Sequence, residues 1–160
     1  MSSAYLTALG LLARRDLSEQ QVRRRLTRKG HDPDDIDAAV VRLRDERAID
    51  DARVAEGIAR AAAGVKRRGK LRARREIESA GIASTIARQA VDAVFETVDD
   101  DELIEAALRR RLQAGCTIVD EREFQRLFRY LMAQGFETDR ILSALNARRG
   151  PGAAARDDHE

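Results

Sequence analysis

Apolar positions along this chain recur with the period of an α-helix and break off at glycine. Ile36, Ala39, Val40 and Leu43 follow the i, i+3, i+4, i+7 spacing that lines one helix face. The same arrangement returns around Gly30, Gly81 and Gly135, which are 51 and 54 residues apart. Four positions before these glycines stand Leu26, Ile77 and Leu131, and eight before them Val22, Ala73 and Leu127. Nine positions after come Ala39, Ala90 and Ala144, and ten after come Val40, Val91 and Leu145. Residues at minus eight and minus four share a helix face. A glycine there ends the helix, because a residue without Cβ takes the left-handed C′ conformation cheaply.

Helix starts agree with this reading. Ser18 with Gln21 spells a capping box and Leu17 with Val22 its hydrophobic staple. Asp32 followed by Pro33 reads as N-cap and first helical position, and Thr138 and Ser84 offer themselves as later caps. A further helix precedes each pair, over Ala4 to Arg15, Asp51 to Ala63 and Asp101 to Ala114. Nothing alternates with period two. The expected fold is therefore all-α, an elongated array of three tandem three-helix repeats that stack into a bent rod. The copies occupy residues 1–50, 51–99 and 100–149, followed by a disordered tail over 150–160.

Composition sharpens the picture of the core. Hydrophobic residues make up 43% of the 160, but only 4% are aromatic and Trp is absent, so thin helix–helix contacts of Ala, Leu, Val and Ile must suffice. The single Cys116 excludes an intrachain disulfide and fits a reducing compartment. No signal peptide or membrane span is expected, and the cytoplasm is the default location.

Catalytic chemistry finds little to work with. His31 falls in a turn and His159 in the tail, where solvated imidazoles are expected. Cys116, between helices and far from either histidine, reads as a partly buried structural thiol. Gly64 to Leu71 nearly spells a phosphate-binding P-loop, but Leu71 occupies the magnesium-ligand position and a helix precedes the glycine. The runs Asp50-Asp51 and Asp99-Asp100-Asp101 each precede a helix and read as capping carboxylates. No catalytic residue, metal site or cofactor is expected.

Charge is where the copies differ. The net charge is only +2, and all but three of the 30 basic residues are Arg. Between Glu56 and Glu76, however, no acidic residue occurs, while Arg60, Lys66, Arg67, Arg68, Lys70, Arg72, Arg74 and Arg75 are all basic. Uncompensated charge on this scale costs self-repulsion, so the stretch from Lys66 to Arg75 reads as a contact surface for phosphate or acidic protein. Smaller clusters at Arg23–Lys29 and Arg109–Arg111 read chiefly as solvated faces, with Arg24 and Arg25 kept as candidate contacts.

The segment Ile49-Asp50-Asp51-Ala52-Arg53-Val54-Ala55 resembles a block of the RecX family: an aliphatic residue, two aspartates, any residue, arginine, an aromatic, alanine. Gly69 to Ile77 followed by Gly81-Ile82 is similar to the next family block, and Phe128 to Phe136 to the last repeat. The resemblance covers residues 4 to 149; Val54 in place of the aromatic and Ala80 in place of a basic residue depart from it. It implies a non-enzymatic, monomeric modulator, mainly an inhibitor, that lies in the groove of the RecA–DNA filament. Such a protein restrains ATP hydrolysis, strand exchange and co-protease activity, and so bears on homologous recombination, DNA repair and the SOS response. Its partners would be the RecA filament and, more weakly and salt-dependently, single- and double-stranded DNA, with no membrane.

Two other readings use the same residues. Ser18 to Leu43 has the outline of a DNA-binding helix-turn-helix, but its second helix opens on Asp32-Pro33-Asp34-Asp35, which repels phosphate. A helical-repeat adaptor that binds protein without nucleic acid is the other.

Overall fold

The computed structural model describes residues 3–113 and 116–150. All regular structure in these residues is helical: α1 (Ser3–Leu12), α2 (Glu19–Arg28), α3 (Pro33–Asp45), α4 (Asp51–Ala63), α5 (Lys70–Ser79), α6 (Ser84–Phe95), α7 (Asp100–Arg109), α8 (Glu121–Gln134) and α9 (Thr138–Asn146). The all-α class expected from the periodicity is therefore the observed one. A lone parallel bridge joins Ile118 to Arg149 and brings the Gly150 amide to the Ile118 carbonyl at 3.2 Å. The tail expected to be disordered lies, beyond Gly150, outside the described residues.

The chain divides into two compact units. One comprises residues up to Ala59 together with Arg74–Ala93; the other comprises Arg60–Ala73 together with residues from Val94 on. In the first, α1, α2 and α3 enclose Tyr5, Leu17, Val22, Leu26, Ile36, Val40, Leu43 and Ile49. In the second, α7, α8 and α9 enclose Ile104, Leu108, Ile118, Phe124, Leu127, Leu131, Phe136, Ile141 and Leu145. Both cores are built from the columns flanking the glycines.

Local signals act largely as read. The Ser18 hydroxyl accepts from the Gln21 amide at 3.1 Å, and the Gln21 side chain accepts from the Ser18 amide at 3.1 Å. Asp32 caps α3 by accepting from Asp34 N–H at 2.9 Å. Gly30, Gly81 and Gly135 all adopt positive φ, between 81° and 89°. Two caps are corrected. Thr138 is the first residue of α9, and its hydroxyl meets Met132 Sδ at 3.6 Å; Glu137 holds the cap position without a side-chain bond. Ser84 is likewise the first residue of α6 and hydrogen-bonds the Glu78 side chain. Helix α1 stops at Leu12 and not at Arg15, because the chain must turn to bury Leu17 and Ser18.

Two of the three turn glycines have a second duty. In the first unit, the fully buried Ser18 hydroxyl donates to the Ala80 carbonyl at 2.5 Å, just before Gly81. In the second unit, the Gly69 amide donates to the Gln134 carbonyl at 2.9 Å, just before Gly135. Ser18 and Gly69 stand at the same place, twelve positions ahead of their own turn glycine (18 and 30; 69 and 81). A Cβ at Gly81 would lie 2.5 Å from Gln20 Cβ, and one at Gly135 would fall on the Arg72 backbone. At Gly30 the same atom would meet nothing within 4 Å.

Alanine scanning should separate these duties. Gly30→Ala is expected to lose only the left-handed preference, about 1 kcal/mol. Gly81→Ala adds a steric conflict and should lose about 2–4 kcal/mol. Urea denaturation midpoints would measure the difference; equal losses would contradict it.

Candidate functional site

The residues from Lys66 to Arg75 leave α4, turn, and begin α5. The turn is closed by backbone bonds from Lys66 N–H to Ala61 carbonyl at 3.0 Å and from Arg68 N–H to Ala62 carbonyl at 2.8 Å. Between them Arg67 takes φ +50°, a conformation that glycine ordinarily supplies. Its exposed side chain forms no hydrogen bond or ion pair among the described residues. Lys66 is also exposed, while Arg68 is half-buried. Burial first, and the neighbouring Arg72 charge second, press the Arg68 guanidinium below its usual range.

The α5 members of the stretch are placed differently. Lys70 Nζ lies 3.7 Å from Asp100. Arg72 Nη1 donates to the Ala133 carbonyl at 3.1 Å, near the C-terminal end of α8, where the helix dipole favours a cation. These two, with Lys66, Arg67 and Arg68, belong to the second unit. Arg74, Arg75, Arg24 and Arg25 belong to the first. Arg74 pairs with Glu78 at 3.0 Å, and this bond, then the one from Ser84, holds the Glu78 carboxyl below its usual range. Arg75 and Arg24 are exposed and Arg25 is half-buried. The second unit thus gathers five of the nine predicted residues, Lys66 and Arg67 being its most exposed.

Sequence reasoning missed Asp100. Within the run of three aspartates only Asp99 caps α7, accepting from Asp101 N–H at 2.8 Å and Glu102 N–H at 3.3 Å. Asp100 instead turns inward, 8% exposed, with Lys70 Nζ at 3.7 Å and Arg140 Nε at 3.9 Å. Its Oδ1 has no hydrogen-bond partner among the described residues, so two nearby cations are what stabilise the charge. Asp51 is a similar case. Its carboxylate accepts from the Glu19 N–H of α2 at 2.9 Å, while Asp50 caps α4 through Arg53 N–H at 3.0 Å. Cys116 is a second correction: the thiol is exposed on the segment between α7 and α8, not partly buried. That segment contributes Ile118 to the core.

Beside the turn lies a cleft of about 950 Å³, where Arg67, Arg109 and Arg148 face Asp101, Glu102 and Glu105. Glu105 is engaged by Arg148 and Asp101 by Arg140. Both signs of charge line it, whereas the turn beside it exposes cations only. No helix among the described residues is long and apolar enough to cross a membrane.

The described residues define an all-helical protein with an exposed cationic turn. The family can be stated more closely. A family model described as the first three-helix domain of RecX matches residues 4–43. The chain is 33% identical over 138 residues to the regulatory protein RecX of Chromohalobacter salexigens, covering 86% of this chain and 88% of that one. It is 32% identical over 155 residues to the regulatory protein RecX of Halorhodospira halophila, covering 96% and 88%. The fold is similar to the crystal structure of RecX from Lactobacillus salivarius, with TM-score 0.70 at 19% identity over 91% of this chain and 94% of that one. The chain belongs to the RecX family of regulatory proteins.

Replacing Asp100 should show what it anchors. Asp100→Ala leaves Lys70 and Arg140 without their buried counter-charge and is expected to cost about 1–3 kcal/mol. Asp101→Ala removes only an exposed pair and should cost less than about 1 kcal/mol. Urea titrations of both variants provide the check, and equal costs would deny Asp100 this role.

Proposed function

We propose that this chain modulates the RecA recombinase, chiefly as an inhibitor, without being an enzyme. It would bind in the groove of the RecA–DNA filament as a monomer in the cytoplasm, restraining ATP hydrolysis, strand exchange and co-protease activity. The contact modules are the three copies at residues 1–50, 51–99 and 100–149, and the contact residues are those of the Lys66–Arg75 stretch, with Arg24 and Arg25 contributing.

The observation that carries this reading is the cationic turn in a chain of this family. An arginine in left-handed backbone costs roughly 1 kcal/mol relative to glycine. Arg67 bears that cost while extending its side chain, without a partner among the described residues, from a turn flanked by Lys66 and Arg68. Such a placement makes sense where a charge is needed outside the fold. A helix-turn-helix reading has no comparable support, since α3 opens on Asp32, Asp34 and Asp35 and Asp32 is spent on capping.

Added to preformed RecA filaments on single-stranded DNA, the protein should lower their ATPase rate at sub-stoichiometric to equimolar amounts. An unchanged rate, with no co-sedimentation, overturns the proposal. Arg67→Gly gives a sharper test, because the relieved backbone offsets the entropy of glycine and stability should move by less than about 1 kcal/mol. Filament binding should nonetheless weaken and become less salt-dependent; wild-type binding by Arg67→Gly would remove this residue from the contact surface.

A further inference from the structure

Helix α8 carries a second charged feature that the Lys66–Arg75 stretch does not include. Arg122, Arg126 and Arg129 follow i, i+4, i+7, so all three lie on one face, and all are exposed. That face is opposite the one that buries Phe124, Leu127 and Leu131. Its next member, one turn on, is Ala133, whose carbonyl receives Arg72 Nη1 at 3.1 Å. Arg72, from α5 of the same unit, therefore brings a fourth guanidinium to the end of the row.

The acidic neighbours on α8 leave its own three arginines largely unneutralised. Glu121 and Glu123 sit on the flanks, roughly a quarter-turn from it at 100° per residue. Glu121 is engaged by Arg149 at 2.9 Å and by Gln125 at 2.8 Å. Glu123 reaches Arg126 only at 3.5 Å, and 68% of the Arg126 side chain stays exposed. Arg122 and Arg129 form no hydrogen bond or ion pair among the described residues.

We propose that the outer face of α8, extended by Arg72, is a docking surface for the phosphate backbone of duplex DNA. From Arg122 to Ala133 the helix rises about 16 Å, the length occupied by about five phosphates of one strand. Three cations in a single row, with the Arg72 guanidinium held at its end, meet that run of charge without needing the bases. The surface lacks what other partners require. It carries no aromatic platform for unstacked bases, since Phe124 and Phe128 pack in or against the core and Tyr130 lies beneath Arg111 at 4.3 Å. Its exposed large apolar neighbours, Val119 before the helix and Met132 near its end, flank the arginines without standing between them, and two separated side chains make a small anchor for a protein partner.

The proposal concerns bare DNA, so it is tested without RecA and stands or falls separately from filament regulation. The variant is R122A/R126A/R129A, and the control is R14A/R15A/R28A, which removes equal charge from exposed positions of the first unit. Fluorescence anisotropy would follow a short duplex and a single strand of equal length between about 50 and 200 mM salt. The triple variant should bind duplex at least about ten-fold more weakly at 100 mM salt, with a salt slope reduced by about 2–3. The control should change both far less. Wild-type duplex affinity and slope in the triple variant, an equal loss in the control, or a loss confined to the single strand would each overturn the proposal. Circular dichroism showing retained helix content in the triple variant would assign its loss to contacts; if that content falls, the single substitutions R122A and R129A, each expected to lower the slope by about 1, decide the matter.

Discussion

Helices end with carbonyls that have no partner in their own ladder and begin with amides in the same condition. In this chain two such ends are brought together, each across a turn glycine. The Ala80 carbonyl is taken by the Ser18 hydroxyl at the head of α2, and the Gln134 carbonyl by the Gly69 amide at the head of α5. A second bond, from Leu71 N–H to the Gly135 carbonyl at 3.1 Å, locks the latter contact. The arrangement sets the negative end of one helix against the positive start of another. It also requires glycine for two separate reasons, the left-handed backbone and the absent Cβ. In the second unit the placement of two of the basic residues follows from it, since docking Gly69–Arg72 on Gly135 sets Lys70 over Asp100 and Arg72 at the end of α8.

Much of this fold was legible in the residues because its signals are local. A capping box, an Asp-Pro start and glycine-terminated helices act over a few residues, and they appear in the structure as read. The same glycines conceal their second duty, because the group that would collide with a Cβ is about 60 residues away in sequence. Asp100 was read with Asp99 and Asp101 as one capping run. Only one carboxylate can reach the free amides of α7, and the direction of Asp100 depends on Lys70 and Arg140, both distant in sequence. Thr138 and Ser84 failed as caps for a simpler reason: the helices begin on them and not after them.

The basic stretch illustrates how one run of charge is divided by a fold. Lys70 is drawn to a buried carboxylate, Arg72 to a helix end and Arg74 to Glu78, each contributing to structure as well as to potential. Lys66 and Arg67 extend from an exposed turn. Net charge near zero is compatible with anion binding here, because acids are absorbed into caps and pairs while several arginines are left facing solvent. The row on α8 escaped notice in the sequence for a related reason: glutamates alternate with its first arginines, and only the helical period separates the two signs onto different faces.

The head-to-tail contact at Gly135 is the claim on which the placement of the cationic surface rests. Amide hydrogen exchange at Gly69 and Leu71 in the native chain tests it directly. If the contact exists, both amides, which lie at a helix start and would otherwise face solvent, exchange as slowly as Ala73 one turn further on, whose amide bonds the Gly69 carbonyl at 3.1 Å. Exchange of Gly69 and Leu71 at the rate of an unstructured peptide, with Ala73 protected, would contradict it.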